Sequence, residues 1–245
     1  MKILGDPVEV EYNSGTLTVS GRQMKSNIRL FKDLAPVALD KKALEEMGAQ
    51  KETPAYYMFR NLAETGSKQI QFDITVIPHA RIGTEFVKTL GHYHPEAKKG
   101  LSFCEVYEVL QGRAHFLLQE RKGKSNSTPV SRVLLVRATA GDKIPIPPNF
   151  GHVSINPGSE PLILANLVYT DFESNYKDYV SAGGAAYFET IDGSHQKNPF
   201  FKSLPPIQVG GLELLPKKIT SKKNILSLCR ENPGQFDFLI DPAKF

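Results

Sequence analysis

GHYHPEAKKGLSFCEVYEVLQG, residues 91–112, is the stretch that decides the fold. His92 and His94 are separated by a single residue, and alternate side chains of a β-strand point to the same face. Both imidazoles therefore reach toward one point, while Tyr93 faces the opposite side. This spacing predicts that the two histidines bind one metal ion.

Two further side chains complete the predicted metal site. Glu105 opens the strand-like run EVYEVLQG, and its carboxylate meets the two imidazoles if the chain folds back as a neighbouring strand. His152 lies in PPNFGHVSINPG, residues 147–158, after a proline-rich turn. Three neutral imidazoles and one carboxylate suit a divalent ion of Fe, Mn, Zn, Ni or Co. Such a set leaves coordination positions open, which is typical of a catalytic site.

The alternative interpretation of the HxH pair is a polar strand edge that binds no metal. Two observations favour the metal site. The four residues recur at intervals that match strand pairing, and they use three of the six histidines in the chain. His79, His115 and His195 lie outside this pattern and are not assigned to the metal.

Short runs of β-forming residues separated by turn signals predict an all-β sandwich or small barrel. Residues 7–20 predict an N-terminal hairpin, and Asp40 is the expected N-cap of a short helix. A polar cluster at 123–128 predicts a hairpin tip, and residues 171–186 predict a surface segment over the barrel mouth. The remaining predicted strands are 54–62, 69–78, 84–90, 105–110, 113–120, 130–137, 142–147, 152–156 and 161–170.

We expect three regions along the chain. Residues 1–70 are N-terminal strands and a short helix that pack on the barrel, and residues 71–190 are the barrel with the metal site. Residues 191–245 are a C-terminal extension, too short to bury a core of its own and hence not an independent domain.

The composition is that of an ordinary globular protein, with 40% hydrophobic and 23% charged residues among 245. A net charge of +4 is too small and diffuse to indicate nucleic-acid binding. Cys104 and Cys229 are the only cysteines and do not make a disulfide framework. The N-terminus is too polar for a signal peptide, and no apolar stretch reaches the roughly 20 residues that span a bilayer. We expect a cytoplasmic protein with neither a nucleic acid nor a membrane as partner.

The segments GHYHP, EVYEVLQG and IPPNFGHVSINPG resemble the two motifs of the cupin superfamily. The flanking FDITVIPHARIGTEFVKTLGHYHP, IRLFKDLAPVALDKKALEEMG and PAYYMFRNL narrow this likeness. With them the chain resembles the cupin-type glucose-6-phosphate isomerases typical of archaea, over residues 5–203. The resemblance implies a cupin double-stranded β-helix, a jelly-roll barrel, with an N-terminal β and short-helix segment and a small C-terminal extension.

The resemblance also implies an activity, the interconversion of glucose 6-phosphate and fructose 6-phosphate in glycolysis or gluconeogenesis. It implies a homodimer whose N-terminal strands cross between subunits. It implies one divalent metal ion per subunit, with Fe²⁺ expected first and Zn²⁺, Mn²⁺, Ni²⁺ or Co²⁺ as alternatives. The residues that it points to are His92, His94, Glu105 and His152 for the metal, Glu105 and Tyr107 for catalysis, and Thr75, Thr89, Gly91, Tyr169 and Tyr176 for the sugar phosphate.

This chain departs from the family pattern at two places near the pocket tyrosines. Around Tyr169 the alignment slips by one residue. Where the family motif carries a histidine near Tyr176, this chain has Ser174 and Asn175.

Several alternatives stay open at this point. The hydrogen transfer between C2 and C1 follows either a proton abstraction through a cis-enediol or a metal-assisted hydride shift. Tyr107 is either part of the catalytic network or a core aromatic residue. Three alternative functions also stay open. The protein could be a cupin isomerase of another sugar, such as mannose 6-phosphate or a free sugar. It could instead be an Fe(II) cupin dioxygenase or a sugar-binding cupin without activity.

Overall fold

The structure is a computed structural model that describes residues 2–5, 8–121 and 129–245. The hairpin tip predicted at 123–128 lies outside the described residues. The strands, numbered along the chain, are β1 (Lys2–Leu4), β2 (Val10–Asn13), β3 (Thr16–Val19), β4 (Arg22–Met24), β5 (Asn27–Leu30), β6 (Pro54–Phe59), β7 (Ile70–Ile77), β8 (Arg81–Ile82), β9 (Glu85–Phe86), β10 (Glu96–Lys98), β11 (Leu101–Ser102), β12 (Glu105–Gln111), β13 (Arg113–Arg121), β14 (Val130–Thr139), β15 (Lys143–Ile146), β16 (Phe150–Ile155), β17 (Leu162–Tyr169), β18 (Tyr187–Glu189), β19 (His195–Lys197) and β20 (Ile207–Gly210).

The helices are short and lie outside the barrel sheets. Asp40 caps the first of them by accepting a hydrogen bond from the Ala43 N–H at 2.8 Å, as the sequence predicts. The α-helices are α1 (Lys41–Glu46), α2 (Lys177–Ala182) and α3 (Ile225–Glu231), and 3₁₀ helices cover Phe31–Val37, Gly48–Glu52, Leu212–Leu214, Pro233–Leu239 and Pro242–Lys244. None of the helices in the described ranges is long and apolar enough to cross a membrane.

Two sheets enclose the barrel interior. The larger is antiparallel in the order β15-β12-β17-β7-β6-β5, and the smaller has the order β16-β13-β14-β20. Their inner faces share one apolar cluster, which includes Val109 and Leu164 from the larger sheet and Phe116 and Leu118 from the smaller. Strands β7, β12, β13, β14, β15, β16 and β17 agree with the predicted positions within two residues. The prediction of an all-β fold built as a cupin barrel is confirmed.

The outer face of the larger sheet is covered by both ends of the chain. A second apolar cluster joins Ile74 and Val106 of this sheet to Leu17 of the N-terminal strands and to Ile225 and Phe236 of the C-terminal segment. The predicted hairpin is present as β2 and β3, in a sheet of order β1-β2-β3-β4. The division into residues 1–70, 71–190 and 191–245 stays a prediction.

The C-terminal segment is attached to the barrel at a buried carboxylate. Glu108 of β12 accepts a hydrogen bond from the Ile225 N–H, which opens α3, at 2.7 Å, and its other oxygen lies 3.4 Å from Lys143 Nζ. Strand β20 pairs in parallel with the edge strand β14. The segment after residue 205 therefore adds to both sheets of the barrel.

The strand predicted over 84–90 is wrong, because only Glu85–Phe86 is a strand there. Beyond it the chain makes single bridges, from Lys88 to Ile155 and from His92 to His152. Gly91 has a φ of +82°, which interrupts the extended backbone. The alternation that placed both histidines on one face nevertheless holds, because Tyr93 turns away and accepts a hydrogen bond from Gln119 Nε2 in the core.

Candidate active site

Four side chains of the types that ligate metals meet at the mouth of the barrel, and they are the four that the sequence singles out. The ligand atoms of His92, His94, Glu105 and His152 all lie within 4.8 Å of one another. His92 and His152 exchange both backbone hydrogen bonds, with N to O distances of 3.2 and 3.0 Å. Residues paired in this way project their side chains to the same face. The imidazole centroids lie 4.3 Å apart as a result.

The acid ligand reaches this group from the other sheet. Glu105 is the first residue of β12, and its Oε2 lies 3.2 Å from both His94 Nε2 and His152 Nε2. His92 Nε2 lies 3.2 Å from His94 Nε2. Four ligand atoms from three separate stretches of chain therefore face one small volume.

The chemistry of the donors fits a cation in that volume. His94 Nδ1 donates to the Phe103 carbonyl at 3.0 Å, so a neutral His94 has its lone pair on Nε2, the atom that faces Glu105. Among the described residues no donor has hydrogen-bond geometry to Glu105 Oε2, although this atom is buried. Lone pairs that converge at this distance repel each other unless a positive charge lies between them. A carbonyl that orients a ligating histidine is also the usual arrangement at metal sites.

Burial keeps the imidazoles in the form that binds a metal. It lowers the pKa of His92 well below its ordinary value, and the charges that neighbouring His152 and His94 would carry lower it further. Burial also lowers the pKa of His152, against the opposing effect of Glu105. For Glu105 burial acts to raise the pKa, but the adjacent His152 and His94 outweigh it and hold the pKa below its usual range. Neutral imidazoles and an ionised carboxylate are the protonation states that metal binding requires.

Tyr107 lies beside this cluster and contacts it directly. Its hydroxyl oxygen is 3.2 Å from His152 Nε2. Burial raises the pKa of Tyr107 well above its usual value, and the charge of Glu105 adds to this effect. The phenol is therefore protonated at neutral pH and can donate its hydrogen to an oxygen in the cavity.

A cavity of about 490 Å³ opens over the cluster. Small-molecule sites typically fall between about 300 and 1,000 Å³. The lining includes all five residues predicted to bind the sugar phosphate, namely Thr75, Thr89, Gly91, Tyr169 and Tyr176. The segment after β17 closes one side of it with Phe172, Glu173 and Ser174.

A family model matches the part of the chain that contains the cluster. The family model Glucose-6-phosphate isomerase (GPI) matches residues 28–202, which include every residue of the cluster. The chain belongs to the glucose-6-phosphate isomerase (GPI) family. The resemblance inferred from the sequence is thereby confirmed.

Relatives of this family align with most of the chain. The glucose-6-phosphate isomerase of Pyrococcus abyssi (strain GE5 / Orsay) is 26% identical over 176 residues, 72% of this chain and 85% of that protein. The glucose-6-phosphate isomerase of Thermococcus kodakarensis is 26% identical over 188 residues, 76% of this chain and 91% of that protein. Among solved structures, the Lactobacillus farciminis oxalate decarboxylase formate complex is similar to 51% of this chain, and the similar part is 31% of that protein's chain. The two are 21% identical there, with a TM-score of only 0.34.

Tyr169 and Tyr176 occupy different places around the cavity. Val168, not Tyr169, lies opposite Glu105 in the sheet. Tyr169 lies one position further, and its ring stacks on Phe103 at a centroid distance of 4.6 Å. Tyr169 therefore lines the cavity from the rim, whereas Tyr176 lies over the cluster with its ring centroid 5.2 Å from that of His92.

Other cavity residues were not singled out from the sequence. Tyr56 accepts a hydrogen bond from the Leu90 N–H at 3.3 Å, and burial raises its pKa to about 12. Arg60 and Asn166 also line the cavity. A signal for Asn166 was present, because it interrupts the apolar run LILANLVY, and a buried polar residue there requires a partner.

Proposed function

We propose that this protein is a metal-dependent glucose-6-phosphate isomerase, which interconverts glucose 6-phosphate and fructose 6-phosphate. One observation carries the proposal: a cluster of three histidines and one glutamate in a cavity of ligand size, within the part of the chain that matches the GPI family. Relatives with this name align over about three quarters of the chain. The reaction belongs to glycolysis and gluconeogenesis, and we infer a cytoplasmic location from that role.

The reaction moves one hydrogen between C2 and C1 and one proton between the two oxygens on these carbons. A bound divalent ion, held by His92, His94, Glu105 and His152, would supply Lewis acidity to the carbonyl and the hydroxyl beside it. We expect one ion per subunit, with Fe²⁺ first and Zn²⁺, Mn²⁺, Ni²⁺ or Co²⁺ as alternatives.

Tyr107 supplies a proton at the reacting end of the sugar. Its hydroxyl is protonated, buried and within 3.2 Å of the cluster, so it can give a proton to one sugar oxygen and take one from the other. Glu105 is the nearest carboxylate, but its lowered pKa makes it a weak base. This favours direct transfer of hydrogen between C2 and C1 over abstraction of a proton by Glu105.

A label at C2 separates these two routes. Substrate deuterated at C2 is converted in ordinary water, and the deuterium content of C1 in the product is measured. Full retention supports direct transfer. Extensive loss of the label to solvent would show that a base holds the hydrogen long enough for exchange.

The substrate residues predicted from the sequence remain part of this proposal. Thr75 of β7 lines the cavity together with Thr89 and Gly91 of the segment before His92, and Thr89 Oγ1 accepts a hydrogen bond from the Ser154 N–H at 3.0 Å. We expect them to bind the phosphate, with Tyr169 and Tyr176 closing over the sugar.

A sugar-phosphate isomerase assay on metal-free protein tests the proposal. The protein is chelated, shown to hold no metal, and reconstituted with each of Fe²⁺, Zn²⁺, Mn²⁺, Ni²⁺ and Co²⁺. We expect fructose 6-phosphate conversion only with metal. Undiminished activity in the metal-free sample, or none with any ion, would refute the assignment. Mannose 6-phosphate and oxygen uptake are measured alongside, because conversion of the former alone or uptake of the latter would indicate another reaction.

Two ligand variants and a matched control locate the site. His92→Ala and His152→Ala are expected to lose bound metal and activity together, with an unchanged far-UV circular dichroism spectrum, because the barrel core does not depend on these side chains. His79→Ala serves as the control, since His79 is exposed and outside the cluster. Full activity in either ligand variant would show that the cluster is not the catalytic site.

A further inference from the structure

A row of polar side chains crosses the larger sheet beside the metal-ligand cluster. Asp73 of β7 lies opposite Asn166 of β17, and Asn166 lies opposite Tyr107 of β12. Arg60 follows the end of β6 and extends the row beyond Asp73. Arg60, Asn166 and Tyr107 all line the cavity. The row therefore connects the rim of the cavity with the phenol that contacts the cluster.

Asp73 fixes the position of the Arg60 guanidinium. The Asp73 side chain is only 1% exposed, and its carboxylate accepts from Arg60 Nη1 at 2.6 Å. The same carboxylate accepts from Gln71 Nε2 at 2.9 Å and from the Asn61 N–H at 2.8 Å. The Arg60 side chain remains 42% exposed. Since a guanidinium carries five N–H donors in a planar fork, donors remain for a ligand.

The charge of this pair indicates the kind of ligand. Arg60 and Asp73 together carry no net charge. The pair therefore presents oriented N–H donors without the net positive charge that would favour a phosphate group. A sugar hydroxyl is a neutral acceptor and suits such donors. Asp73 of this row lies two residues before Thr75 on β7, which is a distance of about 7 Å along the strand. The row therefore faces a region of the cavity away from the proposed phosphate contacts.

Asn166 provides an independent observation. Asn166 is only 1% exposed. Within residues 2–5, 8–121 and 129–245, no atom accepts a hydrogen bond from its Nδ2 atom. A buried amide without a partner is destabilising, and native structures keep few of them. Its neighbours Ala165 and Leu167 are apolar and pack on the opposite side of the sheet. An unmatched donor that lines a cavity is explained if the ligand supplies the acceptor.

We propose that Asn166 and Arg60 bind hydroxyl groups of the open-chain sugar, between its carbonyl end at the cluster and its phosphate, and that Asp73 positions Arg60 for this contact. This inference rests on the proposed isomerase function and adds to it the residues that select the sugar. Asn166 donates through Nδ2, and Arg60 donates through the guanidinium N–H groups that Asp73 does not occupy.

The test compares substrates that lack one hydroxyl. Initial rates with glucose 6-phosphate, 3-deoxyglucose 6-phosphate and 4-deoxyglucose 6-phosphate give kcat/KM for the wild type, Asn166→Leu and Arg60→Met. For at least one deoxy substrate we expect the wild type to favour glucose 6-phosphate by roughly tenfold or more, as the loss of one hydrogen bond to a buried donor predicts. Each variant should lose most of that preference for the hydroxyl that it contacts. A preference unchanged in both variants would overturn the inference, as would a wild type that does not distinguish the three substrates.

Thermal stability separates a ligand contact from a structural role. Because Asn166 Nδ2 bonds to none of the described residues, Asn166→Leu should keep or raise Tm. Asn156→Leu is the matched control, since the Asn156 amide donates to the Ile77 and Glu160 carbonyls at 2.8 and 2.9 Å and accepts from the Gly158 N–H at 3.0 Å. We expect this control to lower Tm. A similar loss in Asn166→Leu would show that Asn166 serves the fold.

The outcomes also distinguish this inference from the proposed function. A wild type that isomerises none of the three substrates with any metal overturns the isomerase assignment. A wild type that isomerises glucose 6-phosphate, with variants that keep its hydroxyl preference, overturns only the role of Arg60 and Asn166.

Discussion

Gly91 precedes His92, the first of the proposed metal ligands, and replacing it by alanine should disturb both stability and metal binding. Its φ of +82° is a conformation that residues with a Cβ rarely adopt. A Cβ there would lie 2.5 Å from Tyr179 Cδ1 and 2.7 Å from Val153 Cγ2. The Tyr179 ring is 1% exposed and packs against Tyr93 at 5.4 Å between centroids, so it has little room to move.

Gly193 separates the two contributions. It has the same φ of +82°, but apart from its own chain neighbours no described atom lies within 4 Å of the position of a Cβ there. Gly193→Ala should therefore lose only about 1–2 kcal/mol, from the left-handed conformation. Gly91→Ala should lose this amount and about 1–3 kcal/mol more from overpacking. In a chain of this length the difference between the variants corresponds to roughly 2–12 °C in Tm.

Urea denaturation and thermal unfolding of both variants give the two free energies. Metal content after dialysis gives a second readout, which we expect to fall only in Gly91→Ala, because the shifted backbone carries His92 with it. Equal stability of the two variants, with equal metal content, would refute the reasoning from the Tyr179 contact.

Three further expectations concern the anchor of the C-terminal segment, pH and assembly. Glu108→Ala leaves Lys143 buried without its carboxylate partner and should lower the free energy of unfolding, measured with urea, by about 3–5 kcal/mol. The control Glu231→Ala removes an exposed ion pair with Lys223 and should lower it by less than about 1 kcal/mol. Equal losses in the two variants would contradict this. Metal-free protein should lose stability as pH falls below about 6.5, the ordinary pKa of histidine. The pKa values of His92 and His152 are lowered in the folded protein, so below this pH the unfolded chain binds more protons than the folded one. A Tm that stays flat down to pH 5 would argue against buried neutral imidazoles. Light scattering at micromolar concentration should give a dimer, and a monomer mass would overturn the predicted homodimer.

The metal-ligand cluster was predictable because its signal is local and chemically unusual. The spacing of His92 and His94 fixes their common face, and the strand periodicity of β12 places Glu105 and Tyr107 together. The position of His152 depends on a long-range backbone pairing with His92 that the sequence does not specify. The structure has that pairing as a single bridge.

The features that were missed depend on sheet order. Asp73 and Asn166 are neighbours across β7 and β17, although they are far apart in the chain. No periodicity within either strand reveals that pairing. The position of Tyr169 depends on a register of one residue, because a shift by one exchanges the two faces of a strand. The pairing of β20 with β14 is likewise a long-range parallel contact that follows no local pattern.

Strand β12 has a consequence for any attempt to build a minimal enzyme. Its inner face carries Glu105 and Tyr107. Its outer face carries Val106, which belongs to the second apolar cluster, and Glu108, which accepts a hydrogen bond from the Ile225 N–H. Truncation to the family-matched region, residues 28–202, would uncover the back of the strand that carries Glu105 and expose an apolar patch of the kind that promotes aggregation. A shortened version would need polar replacements along that surface, and a mutational scan of residues 225–245 should score catalysis as well as folding.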